Sequence, residues 1–165
     1  MKKIVLIGFA ACYKTTVGRL MADKLRCAFV DTDKELERIC NKSVQQIFET
    51  EGEQYFRKME SRLLNTLKGT NTVVACGGGS VLAENFYGFA QDSIVVCLTA
   101  SAETVHARLG SVSRPLFDGL TVEELRSYMQ KRAPLYSKYA DEIFCTDEKT
   151  SEQVAEQVYT WLLSR

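Results

Sequence analysis

Short apolar runs alternate along the whole chain with stretches whose apolar residues recur every three or four positions. Five runs have strand length: Ile4-Val5-Leu6-Ile7, Ala28-Phe29-Val30, Thr72 to Cys76, Ile94 to Leu98, and Glu142 to Cys145. They are rich in β-branched residues and near-continuous, which suits strands covered on both faces, as in a parallel sheet. Val17, Leu20, Met21 and Leu25 predict a helix over 14–25, and Phe56, Met59, Leu63 and Leu67 predict another over 53–67. The same spacing recurs at Val122, Leu125 and Met129, and at Val154, Val158, Trp161 and Leu162. Strands and helices taking turns in this way predict an α/β fold, a three-layer α/β/α sandwich around a central five-stranded parallel sheet. No repeat, low-complexity segment or linker divides the chain. The least regular stretch, 110–119, holds Ser111, Ser113, Arg114, Pro115 and Asp118 and is expected to be a mobile loop.

Composition narrows the class. A chain of 165 residues suffices for one compact domain with one hydrophobic core. With 45% hydrophobic and 25% charged residues it falls in the ordinary globular range. Lys plus Arg and Asp plus Glu both total 21, so no general basic surface exists and nucleic acid is not an expected partner. Cys12, Cys27, Cys40, Cys76, Cys97 and Cys145 lie far apart, without C-x-x-C spacing, and read as reduced, mostly buried thiols of a cytoplasmic protein. Met1-Lys2-Lys3 runs straight into Ile4 to Ile7, an apolar stretch too short for a signal peptide, and no run approaches a membrane span. No membrane partner is therefore expected. A monomer is expected too, because the core uses up the apolar helix faces.

The turn after the first run carries the most chemistry. Gly8-Phe9-Ala10-Ala11-Cys12-Tyr13-Lys14-Thr15 has the spacing of G-x-x-x-x-G-K-[ST], with Tyr13 where the second glycine belongs. Such a turn curls backbone N–H groups around phosphates, sends a lysine to the β and γ groups and offers a hydroxyl to Mg²⁺ above a helix N-terminus. Gly8, Lys14 and Thr15 supply those parts. The alternative is a plain strand-to-helix turn whose first helical residues happen to be Lys-Thr-Thr. Tyr13 complicates the first reading, since this position usually adopts a conformation costing a residue with a Cβ about 1–2 kcal/mol. Either nucleotide affinity suffers or the ring covers the site.

Further positions invite two readings each. Asp31 and Asp33 end the second strand, and if both are extended their side chains share one face at the carboxyl edge of the sheet, where ligands bind in such folds. Asp33 alternatively serves as a helix N-cap. Arg57 and Glu60 lie three apart on a predicted helix, as a fixed carboxylate clamp or as a surface ion pair. Gly77-Gly78-Gly79 suits a backbone that must approach a ligand closely, or a loose turn. Arg108 is either a site residue or a solvated charge at a helix end.

Taken together, these pieces resemble the shikimate kinase family: Gly8 to Gly18 (GFAACYKTTVG), Val30 to Asp33 (VDTD), Ile47 to Glu60 (IFETEGEQYFRKME), Val73 to Leu82 (VVACGGGSVL), Arg114 to Phe117 (RPLF), Arg132 to Tyr136 (RAPLY) and Ala140-Asp141. The resemblance implies a P-loop NTPase fold over 1–165, with a substrate-binding region at 32–62 and a lid at 109–120. It implies ATP bound by Gly8, Ala11, Cys12, Tyr13, Lys14, Thr15, Thr16, Arg108 and Arg114, with Arg108 stacking on the adenine. Thr15 and Asp31 would hold Mg²⁺ and its waters. Asp33, Arg57, Gly77, Gly78, Gly79 and Arg132 would bind shikimate, the two arginines gripping its carboxylate, with Phe48 and Phe56 lining the pocket or packing the core. Lys14, Asp33 and the lid residue Arg114 would carry catalysis. Cys76 departs from the hydroxyl residue usual before the glycines, and His106 matches no catalytic position and reads as structural. The expected reaction is phosphorylation of shikimate to shikimate 3-phosphate in aromatic amino acid biosynthesis. Two other expectations stay open: a ligand-binding relative impaired by Ala11 and Tyr13, and a related gluconate-type kinase.

Overall fold

A computed structural model of the chain describes residues 1–110 and 116–165. The predicted strands form at Lys3–Ile7 (β1), Ala28–Asp31 (β2), Thr72–Ala75 (β3), Ser93–Thr99 (β4) and Glu142–Cys145 (β5). They make one sheet in the order β2-β3-β1-β4-β5, every pair parallel. The helices are Lys14–Leu25 (α1), Thr32–Cys40 (α2), Val44–Thr50 (α3), Gly52–Thr66 (α4), Phe86–Ala90 (α5), Ala102–Leu109 (α6), Val122–Tyr139 (α7) and Ser151–Leu163 (α8). Helix α4 starts at Gly52, one residue before the predicted start, and ends one residue short of Leu67.

Burial explains the near-continuous apolar runs. Every residue of β1 is buried, as a central strand sandwiched between helix layers must be. The edge strands differ: β2 is only partly covered and Ile143 of β5 is 45% exposed. Apolar sequence there reflects an edge left half open. The main core gathers β1, β3, β4, α1 and α8, while Leu36, Ile47, Phe56 and Leu63 form a second, smaller cluster beneath α2, α3 and α4. The three helices of that cluster thus have their own anchor beside the sheet. Local chemistry fixes several helix starts, since Ser43, Thr121 and Thr150 each close a reciprocal capping box with Gln46, Glu124 and Gln153.

Two sequence expectations need correction. Asp31 and Asp33 are not both extended: Asp31 caps α2, its carboxylate accepting from the Lys34 amide at 3.1 Å, and Asp33 lies in the helix's first turn. The cap is thus Asp31, because the strand ends there and the next three amides need an acceptor. The cysteines are all free, but only Cys12, Cys76 and Cys97 are buried, whereas Cys145 on the open edge is exposed. Among the described residues no helix is long and apolar enough to cross a membrane.

Candidate active site

Strand β1 lies between β3 and β4, so the chain turns out of it at the point where successive connections leave in opposite directions, the usual ligand crevice of such sheets. Gly8 opens that turn at φ 136°, and a Cβ there would run into the Leu98 carbonyl, so both torsion and space demand glycine. Ala11 and Tyr13 then adopt left-handed conformations at φ 58° and 67°. A glycine takes such torsions without strain, whereas each of these residues meets a cost of about 1 kcal/mol or more. Tyr13 precedes α1 as its N-cap and makes no side-chain cap bond, which leaves the first amides of that helix to other acceptors. Lys14 is buried and folds back over the turn, its Nζ donating to the Phe9 carbonyl at 2.6 Å. The Thr15 hydroxyl donates to Asp31 Oδ2 at 2.5 Å, and Thr16 faces solvent. Burial pushes the Cys12 thiol up and the Cys97 thiol up to about 12, so neither is a nucleophile near neutral pH.

Arg108 is not a solvated helix-end charge. From the last turn of α6 its guanidinium donates to the Ala11 carbonyl at 2.9 Å, and to the hydroxyl and carbonyl of Thr146, each at 2.9 Å. Its Cζ lies 3.7 Å from the centroid of the Tyr13 ring. His106, two residues earlier, is exposed.

The triple glycine gathers the other site residues. A Cβ on Gly77 would collide with the Asp33 carboxylate, and one on Gly79 with the Arg57 guanidinium. The glycines therefore admit two side chains of the protein itself against the backbone, in addition to any ligand. The Gly77 amide donates to Thr32 Oγ1 at 2.9 Å, and the Gly78 carbonyl accepts from Arg132 Nη1 at 3.1 Å and the Tyr136 hydroxyl at 2.6 Å. Gly78 also borders the phosphate turn, since a Cβ on it would lie 3.5 Å from the Ala10 amide nitrogen. Asp33, Arg57 and Arg132 are thus brought to one loop beside Lys14.

Arg57 is held as the spacing predicted, yet not at the surface. Its Nη1 lies 2.8 Å from Glu60 Oε2, and Glu60 is fully buried, its other oxygen accepting from the Ser80 hydroxyl at 2.6 Å. A buried carboxylate needs such partners, since an unpaired one costs several kcal/mol. Arg57 Nε is buried and has no hydrogen-bond partner among the described residues. Phe48 and Phe56 pack together, centroids 4.8 Å apart, with Phe56 in the smaller core and the Arg57 guanidinium 5.4 Å from its ring. Of the two sequence readings of Phe56, core packing is the one the structure shows. Arg114 lies outside the described residues, but Phe117 just beyond packs on Phe9 of the phosphate turn with centroids 4.8 Å apart.

Sequence reasoning missed Ser80, Thr146 and Tyr136. Tyr136 had a signal, standing four residues after Arg132 and hence on the same helix face. Ser80 and Thr146 had none, because each is linked to its partner across the fold.

The shikimate kinase family model matches residues 10–163, nearly the whole chain. The chain belongs to the shikimate kinase family. Members of this family are ATP-dependent kinases that phosphorylate an alcohol group of shikimate. The chain is 38% identical over 162 residues to the shikimate kinase of Thermoanaerobacter pseudethanolicus, covering 96% of this chain and 94% of that one. It is 40% identical over 162 residues to the shikimate kinase of Thermodesulfovibrio yellowstonii, covering 96% and 93%. In three dimensions it is similar to the shikimate kinase from Acinetobacter baumannii in complex with shikimate, with a TM-score of 0.93 and 33% identity over 99% of this chain and 94% of that one. The three-layer P-loop fold expected from the sequence is the fold of the family. These matches do not favour the impaired-binder or gluconate-type alternatives.

Proposed function

We propose that this chain transfers the γ-phosphoryl group of ATP to a hydroxyl of shikimate, giving shikimate 3-phosphate and ADP. The observation carrying the reading is the convergence of Asp33, Arg57 and Arg132 on the triple glycine that borders the phosphate turn. An anionic acceptor meets two guanidinium groups there, one steadied by Glu60 and one by the Gly78 carbonyl, and each can grip a carboxylate with parallel N–H bonds. Asp33 orients or deprotonates the attacking hydroxyl. The new bond forms between that oxygen and Pγ as the bridging bond to Pβ breaks, and the hydroxyl proton leaves toward Asp33.

Lys14 faces the β and γ phosphates from the start of α1, where Gly8, Ala11, Cys12, Tyr13, Thr15 and Thr16 offer backbone amides. Arg108 borders the nucleotide, and Arg114 adds positive charge from a lid at 109–120 whose closure excludes water. Among the described residues no cluster of three or more His, Cys, Asp or Glu could cage a metal. The Thr15 hydroxyl and Asp31 carboxylate, in mutual contact, instead suit Mg²⁺, an ion that keeps most of its waters and takes phosphate oxygens as ligands. Bound there, Mg²⁺ neutralises charge on the phosphates. Residues 1–165 act in this reading as one domain, a cytoplasmic monomer. Purified protein with ATP, magnesium and shikimate should release ADP in a coupled assay. A folded sample that stays silent at high protein concentration overturns the reading.

A further inference from the structure

Ala11 and Tyr13 pose a physical question. The turn keeps left-handed torsions at both positions, although neither residue adopts them readily. Something outside the turn must hold it, and one side chain that touches both strained residues is Arg108. Its Nη1 bonds the Ala11 carbonyl, and its guanidinium lies over the Tyr13 ring. The arginine is itself fixed at its far side, where Nη1 and Nη2 reach the hydroxyl and carbonyl of Thr146. Thr146 is fully buried and its amide donates to the Thr99 carbonyl at 2.8 Å, so the anchor is the carboxyl end of the sheet.

We propose that Arg108 is a positioning residue for the phosphate turn of this chain, clamping Ala11 and Tyr13 in the left-handed torsions that glycines would adopt unaided. Tyr13 is then half of a device: its ring gives the guanidinium a surface to lie on, and the residue that strains the turn also supplies the contact that secures it. The inference rests on the reading that this turn binds a triphosphate. It differs from adenine stacking, because a clamp on the turn matters to phosphates that carry no base.

Four proteins test it: the wild type, Arg108→Met, Ala11→Gly/Tyr13→Gly, and the triple variant. Methionine keeps the length of the arginine stem and removes its charge and donors. Isothermal titration with magnesium tripolyphosphate, a ligand without a base, should show Arg108→Met binding about tenfold more weakly than wild type, as a coupling of ordinary size between contacting groups gives. In the glycine background the same substitution should change tripolyphosphate affinity by no more than about twofold, within the scatter of uncoupled sites. Equal losses in the two backgrounds overturn the proposal, since Arg108 would then act on the phosphates directly. It is equally overturned if Arg108→Met weakens ATP while leaving tripolyphosphate untouched. A ligand-free measurement separates this failure from failure of the nucleotide reading. The drop in thermal midpoint on Arg108→Met should be less than half as large in the glycine background, and equal drops sink the clamp whether or not any nucleotide binds.

Discussion

The two halves of the site reach order by opposite means. On the proposed acceptor side glycine is plentiful, and Gly77 and Gly79 make room for the Asp33 carboxylate and the Arg57 guanidinium. Rigidity there comes from a buried relay of Arg57, Glu60 and Ser80, with Arg132 and Tyr136 both on the Gly78 carbonyl. On the proposed nucleotide side glycine is scarce where a phosphate turn most needs it, and torsions that glycine tolerates are held at Ala11 and Tyr13 beneath a cross-fold arginine. One half spends backbone freedom to seat side chains. The other uses a side chain to replace backbone freedom.

Replacing Lys14 by methionine should fail most heavily, lowering kcat about 10³-fold, the scale on which loss of one preorganised charge donor acts. Steady-state kinetics that find less than a tenfold loss would remove Lys14 from the chemistry. Next, Glu60→Ala breaks the acceptor relay and leaves the Arg57 charge without its buried partner. Chemical denaturation should report about 3 kcal/mol of lost stability, and the shikimate KM should rise with the ATP KM unchanged. A loss under 1 kcal/mol would show that the acceptor half is not ordered by that pair. Tyr13→Gly is expected to be milder and opposite in sign: relief of about 1–2 kcal/mol of torsional strain, which the turn carries without ligand, should raise stability by less than that because the Arg108 contact is lost, with no change in shikimate KM. A urea titration showing lower stability instead would clear Tyr13 of any net penalty. Smallest of all, Lys24→Ala, which removes an exposed ion pair with Glu156 remote from both halves, should alter stability by less than about 0.5 kcal/mol, and a larger drop in a urea titration would contradict its surface character.

Much of this was legible in the sequence, for identifiable reasons. The strands were readable because sheet burial writes near-continuous apolar runs, and α1 was readable to its end residues because its apolar stripe stops at Leu25, just before the left-handed Arg26. Arg57 and Glu60 were legible because helix spacing alone puts them together. What spacing could not say was that Glu60 is fully buried, since that depends on Ser80 arriving from another segment 20 positions away. The Arg108 contacts with Ala11, 97 positions distant, and with Thr146 were invisible for the same reason. Asp31 and Asp33 misled because a strand ending at Asp31 passes directly into helix, and the period changes between them.

Gly8 has a wider consequence. It is barred from exchange on two counts, while the positions at 11 and 13 have accepted other letters and kept their dihedral angles. A nucleotide-binding bend is therefore better defined by its torsional signature than by its spelling. A pattern that insists on glycine ahead of Lys14 passes over this chain, whereas one written in the torsions at positions 11 and 13 does not.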